Sequence, residues 1–297
     1  MDATTLNIPP DIAEERASEG PLRDIVDIFR QNRMAMAGLV IILLLVIAAI
    51  FAPLLSPHDP YAMDLTRQLL APSLRHLLGT DKFGRDLLSR IIYGTRISLV
   101  IGLLPSLFSI LIGAMLGIMS GYCGGTTDFI IMRCADVMLA FPSLILAMVV
   151  MYTLGPNLFN LFIAISLVGW AGPARVVRSQ TLSLKEKEFV EAARAIGVKR
   201  HRIMLRHILP NCLPALIVLF SLSIPEAIMY EASLSFLGVG AQPPTPSWGL
   251  LVSRGKEHLF SAPWVAIIPG VAILITVMAF NFMGDGLRDA LDPYMKG

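Results

Sequence analysis

A chain of 297 residues that is 55% hydrophobic and only 15% charged departs from a soluble domain, whose charged share runs nearer about 25%. With a mean hydropathy of +0.68, the composition names lipid as the solvent. A net charge of +2 is too small to call for a polyanion, which excludes nucleic acid as a partner.

The chain opens on a polar tail, residues 1–34, in which Asp2, Asp11, Glu14, Glu15 and Glu19 mix with Arg16, Arg23 and Arg30. A secretory signal begins basic and turns apolar at once; here the apolar run starts near Ala35 and is too long for one. Residues 20–33 are expected to form a short amphipathic helix along the membrane surface. A spanning helix needs about 20 apolar residues, at 1.5 Å each across roughly 30 Å of hydrocarbon. Six segments qualify: 35–55, 97–121, 129–153, 157–176, 212–234 and 263–283. Pro105, Pro142 and Pro225 predict kinks in the second, third and fifth, and Gly172-Pro173 interrupts the end of the fourth. The fold class is therefore all-α, a polytopic membrane domain over 35–297.

Orientation follows the basic residues of short loops. Between Arg175 and His207 stand nine Lys and Arg against three Glu, so this loop (177–211) is expected on the cytoplasmic side, with both termini. The loops 57–96 and 235–262 then fall outside. The first carries six basic residues, partly offset by Asp59, Asp64, Asp81 and Asp86, which weakens the asymmetry. Within it Gly79 and Gly84 bracket a turn, and Asp81, Arg85 and Asp86 predict a salt-bridge network. That network either fixes the loop or helps receive an external partner.

The cytoplasmic loop is too charged for membrane but keeps helical periodicity. Phe189, Ala192, Ala193 and Ile196 share one face, Ser183 and Glu186 match a capping box, and Gly197 suits a left-handed stop. A helix over about 184–196 follows. Its small-residue face and basic rim suit either a groove on another protein or an anionic lipid surface.

Glu191-Ala192-Ala193, then Gly197, then Leu209-Pro210, resembles the EAA loop of bacterial ABC importer permeases; the family's Ile position is His207, with Ile208 next. Leu78–Asp86 with Ser89-Arg90 is similar to the GTDxxGRDxxSR segment of C-type permeases in the dipeptide, oligopeptide and nickel group. So are Ser235–Pro246 with Ser247-Trp248-Gly249, and Phe280–Asp289 with Leu291-Asp292-Pro293. The resemblance implies a type I permease fold in the cell inner membrane, with Glu191, Ala192, Ala193, Gly197, Leu209 and Pro210 contacting an ATPase. It also implies a related B-type permease, two ATP-binding subunits that hold ATP and Mg, and an extracytoplasmic binding protein. Peptide is the implied cargo, with glutathione and nickel as alternatives inside the same group. This chain has no GxxxxGK[ST] loop, so nucleotide binding falls to the partners.

Inside the spans, Arg133 and Asp136 predict a structural i,i+3 pair. Glu226, deep in the fifth span, and Glu231, about a turn and a half further, are candidates to line the pathway. A carboxylate there favours a cationic amino terminus; the bland reading is a contact to a neighbouring helix. Cys123, Cys134 and Cys212 are odd in number and lie in no CxxC, so neither a disulfide framework nor a metal site is expected. The five histidines are scattered, with no HExxH and no GxSxG elbow, which argues against an enzyme. An ion-coupled secondary transporter is the competing class, disfavoured by the lack of an internal repeat.

Overall fold

The computed structural model describes residues 21–291; the first 20 residues of the tail and Asp292-Pro293 of the C-terminal motif lie outside it. Among the described residues the chain is helical, with one isolated antiparallel bridge, Thr80 to Asp86. Helix α1 (Pro21–Gln31) matches the short helix expected before the first span. It touches the far end of the chain, where Phe29 lies against Gly286. Asn32 then caps α2 (Arg33–Ile50), accepting the N–H groups of Met34 and Ala35 at 3.1 Å each. A single turn, α3 (Ala52–Leu55), leads into the loop 57–96.

Helix α4 (Leu87–Cys123) begins ten residues before the second expected span, because Asp86 accepts the Ser89 N–H and nucleates the first turn there. At 37 residues it is about 55 Å long, and it is the hub of the fold. It packs against α7 (Leu158–Gly169), α8 (Ala171–Leu184), α11 (Leu209–Phe236) and α2. Its approach to α8 is close because Gly113, Gly117 and Gly121 form one ridge. A Cβ on Gly117 would sit 2.5 Å from the Ala174 carbonyl oxygen, and one on Gly113 2.8 Å from that of Trp170.

The third span departs from a kinked rod. Helices α5 (Gly125–Ala140) and α6 (Ser143–Leu154) meet at a bend of 95°. Pro142 supplies no N–H and drives Phe141 to extended backbone (ψ 145°), so the helix stops and restarts. The fourth span is α7 followed directly by α8. Pro173 falls in the first turn of α8, where a missing N–H costs nothing, and the helix runs on to Leu184. After the charged loop 177–211, α11, the short α12 (Trp248–Gly255) and the final α13 (Trp264–Leu291) follow. Helices α9 (Glu188–Ala195) and α10 (Arg200–Ile203) belong to that loop. Among the described residues five helices are long and apolar enough to cross a membrane, or six if the bent pair counts as one span.

Candidate functional site

Three regions carry the polar chemistry: the loop around α9, a cavity beside α11, and the loop 57–96. The loop is built as a buried half and an exposed half. Val190 and Ala193 turn inward onto Ile203, Ile208 and Cys212, all buried in one cluster with Val177 and Ile118. Phe189 (43% exposed), Ala192 and Ile196 (81% exposed) face away from it. The face expected to be shared by Phe189, Ala192, Ala193 and Ile196 is therefore split, with Ala193 inside.

Helix α9 starts at Glu188, later than expected, and Ser183 caps nothing. It lies within the last turn of α8, which continues past it, and Lys187 takes the cap position without a side-chain bond. The stop matches expectation. Gly197 has φ +80°, its N–H reaches Arg194 O at 3.0 Å, and the Val198 N–H reaches Ala193 O at 3.1 Å. These two bonds are a Schellman motif, which needs the left-handed residue that glycine supplies. Glu191 is exposed in the first turn, where the helix dipole favours a carboxylate. Leu209 and exposed Pro210 open α11 after a wide turn over Met204–Ile208. Beside the loop a cleft of about 490 Å³ is lined by Lys185, Arg194, Arg200 and Tyr122, with the Arg194 guanidinium 5.9 Å from the Tyr122 ring centre.

The cavity holds about 150 Å³ between α4, α6, α7, α8 and α11 and presents Ser106, Ser109, Ser143, Glu226 and Tyr230. The Tyr230 hydroxyl donates to Glu226 at 3.2 Å, and Glu226 is otherwise exposed. Serine hydroxyls hold the wall together. Ser106 donates to Ser223 O at 3.0 Å and Ser109 to Ser166 O at 3.2 Å, across three helices. The 95° break puts Ser143, at the start of α6, on this cavity, so Pro142 shapes a wall that a straight helix would not form.

Glu231 stands elsewhere. It is 1% exposed and accepts the Ser235 and Ser247 hydroxyls, each at 2.8 Å, while Gly249 packs against its carboxylate. It ties α11 to the loop before the last span and does not reach the cavity. Arg133 and Asp136 do pair at 3.5 Å, but the tighter partner of Asp136 is Arg175 on α8, at 2.5 Å. A second pair joins the same helices, Arg178 to Asp128 at 2.6 Å, with Ser120 also donating to Asp128. Sequence spacing offered no sign of either contact, since 39 and 50 residues separate the partners.

In the loop 57–96 only part of the expected Asp–Arg network forms, and it is buried: Asp81 joins the arginines, while Asp86 turns to His76 and Ser89 instead. Arg85 meets Asp81 at 2.7 and 2.8 Å, and Arg90, only 1% exposed, lies 3.5 Å from Asp81 while donating to Pro60 O at 2.9 Å. Asp86 is in contact with His76 Nδ1 at 2.9 Å and with the Ser89 N–H and hydroxyl at 2.9 and 2.8 Å. Burial opposes its ionisation, but these bonds outweigh burial and hold the carboxyl below the usual range. Gly84 has φ +72°, and a Cβ there would collide with the Asp64 carbonyl.

Comparison with known proteins decides the family. The model of the binding-protein-dependent transport system inner membrane component matches residues 113–297, and that of the N-terminal transmembrane domain of oligopeptide transport permease C matches 20–72. The chain belongs to this permease family. Among its relatives, a dipeptide transport system permease protein DppC of Alkalihalophilus pseudofirmus is 43% identical over 98% of this permease and 95% of that protein. A DppC of Haemophilus influenzae is 44% identical over 94% and 97%, and a glutathione transport system permease protein GsiD of Pectobacterium atrosepticum 42% over 96% and 95%. A solved structure of the inward-facing MetNI methionine ABC transporter superposes with a TM-score of 0.56 at 19% identity, covering 68% of the permease and 96% of that chain. The likeness shows the shared type I permease fold. The permease is thus a multi-pass inner-membrane component of a transport system rather than an enzyme.

Proposed function

We propose that this chain forms half of the transmembrane pathway of an ATP-driven importer of di- and oligopeptides, driven through α9. The observation that carries the reading is the apolar face of Phe189, Ala192 and Ile196, exposed on a helix whose other face is locked into the core. An apolar patch of this kind, rimmed by charge, marks a surface for a partner. Two ATP-binding subunits, holding ATP and Mg, are the partners whose closure would push it. Gly197 sets its stop, Glu191 stands exposed in its first turn, and α10 and the wide turn lead from it to Leu209-Pro210, the opening of α11, which carries Glu226. Val190 and Ala193 of α9 pack on Ile203 and Ile208, in the continuous helical run Arg200–Phe236 that carries Glu226, so a push on α9 passes through that contact, and packed helices answer such a push by switching between discrete arrangements.

On this reading α9 faces the cytoplasm and the outer loop faces a binding protein that delivers cargo. A related B-type permease completes the pathway. Glu226, with Tyr230 and the serines, offers a peptide's amino terminus a carboxylate and hydroxyls. The relatives named for dipeptide transport at 43–44% identity favour peptide; the glutathione relative keeps that tripeptide-like cargo as the second candidate.

The test is reconstitution of the complete complex in liposomes, with labelled dipeptide uptake and ATP hydrolysis measured together. Ile196→Asp should cut uptake at least tenfold while the complex still hydrolyses ATP. Uptake that continues without nucleotide, or that is driven by an ion gradient, would reject the proposal.

A further inference from the structure

We propose that His58, His76 and Asp86 form a binding site for one divalent transition-metal ion, Zn²⁺ being the type case, which clamps the outer loop onto the foot of α4. One ligand atom from each residue lies within 4.8 Å of the others. The Asp86 Oδ1 atom is 2.9 Å from His76 Nδ1 and 3.6 Å from His58 Nδ1. Ligands held about 2.0–2.2 Å from a tetrahedral ion stand about 3.3 Å apart, a value those two distances bracket. The two imidazoles also face each other, with ring centres 4.8 Å apart.

The surroundings favour an ion over a simple hydrogen-bonded cluster. His58 Nδ1 is buried and has no hydrogen-bond partner, a state that costs free energy until something occupies it. Asp86 turns only one oxygen to the imidazoles, because Oδ2 is fixed by Ser89 at 2.8 and 2.9 Å. The same Ser89 hydroxyl accepts the backbone N–H of His58 at 3.1 Å. One outer residue thus orients two ligands, the arrangement by which metal sites hold their first ring of donors. The loop's buried cations do not compete, since Arg85 and Arg90 are engaged by Asp81 and the Pro60 carbonyl.

Two imidazoles and one carboxylate select a borderline ion such as Zn²⁺, Co²⁺ or Ni²⁺ over Mg²⁺ and Ca²⁺, and leave a fourth position for water. The three ligands come from the exit of α3, from mid-loop and from the cap of α4, so a bound ion joins segments 28 residues apart along the chain.

The experiment uses the chelator-washed complex in nanodiscs, titrated with Zn²⁺ and, for its visible absorption, with Co²⁺. One ion per copy of this chain is expected, with imidazole nitrogens in its X-ray absorption shell and a raised melting temperature. His58→Ala should weaken binding at least tenfold, Ser89→Ala about 10–100-fold, and His258→Ala not at all. His58 is partly exposed, so its replacement should leave the metal-free melting temperature unchanged. Absence of saturable binding in the wild type, a first shell without imidazole, or full binding retained by His58→Ala would each overturn the site.

Discussion

The two ends of α4 follow opposite rules. At the Leu87 end the loop hides four of its charges: Asp81, Arg85, Asp86 and Arg90 are all buried and bonded to one another, to a histidine or to backbone. At the Cys123 end the loop around α9 leaves its charges in water and shows apolar side chains, Phe189 and Ile196, to the outside. Buried, mutually paired charge needs nothing beyond its own chain. Exposed apolar surface on an otherwise anchored helix is unfinished by itself. The contrast lies in where charge is kept, since the loop at the Leu87 end also exposes Met63, Leu65 and Leu74.

The sharpest way to break it is Asp81→Ala. This leaves two buried guanidiniums without their carboxylate and should cost about 3–5 kcal/mol, read as a large fall in melting temperature or loss of expressed protein. If the variant melts normally, the outer network is not structural. Gly84→Ala comes next, at about 1–2 kcal/mol or more, since alanine must take a left-handed backbone and its Cβ meets the Asp64 carbonyl. At the other end, Phe189→Asp should leave melting within a degree or two while uptake falls about tenfold, equal to about 1.4 kcal/mol of coupling. A matching loss of stability would place Phe189 in the fold rather than at an interface. Glu226→Gln should reduce uptake several-fold with ATPase activity retained; unchanged uptake would remove it from the pathway.

The smallest effect concerns the loop's exposed edge. Glu257 is held below its usual range by the Lys82 hydrogen bond at 3.2 Å. A depressed carboxylate stabilises above its unfolded value of 4.5 and loses that contribution as pH falls through the lowered one. Because the pair is exposed, Glu257→Gln should leave melting within scatter at neutral pH, and added salt should erase what remains. A clear shift would show the pair to be part of the buried network.

Features set by near neighbours were legible in the sequence. Hydropathy located the long apolar helices, the Asp81–Arg85 spacing located the buried ion pair, and Gly197 marked the stop of α9. Features set by distant neighbours were not. His58 and His76 lie 18 residues apart and meet only when the loop folds back on the cap of α4. Pro142 announced a disturbance, but whether a helix kinks or breaks depends on what supports the freed backbone, and here it turns by 95°. Ser183 carried a good local capping signal that lost to the longer helix running through it. Glu231 has the same side chain as Glu226 five residues earlier, yet tertiary contacts bury one and leave the other facing the cavity.

The length of α4 has a mechanical corollary. A rod of about 55 Å exceeds a hydrocarbon slab of about 30 Å, and even leaning by about 40° it spans roughly 42 Å. Its tips therefore project into water on both sides. Pivoting about its midpoint by ten degrees, such a beam sweeps each tip through about 5 Å in opposite directions. A helix that moves as one piece thus turns a small rocking at one tip into an equal and opposite displacement at the other.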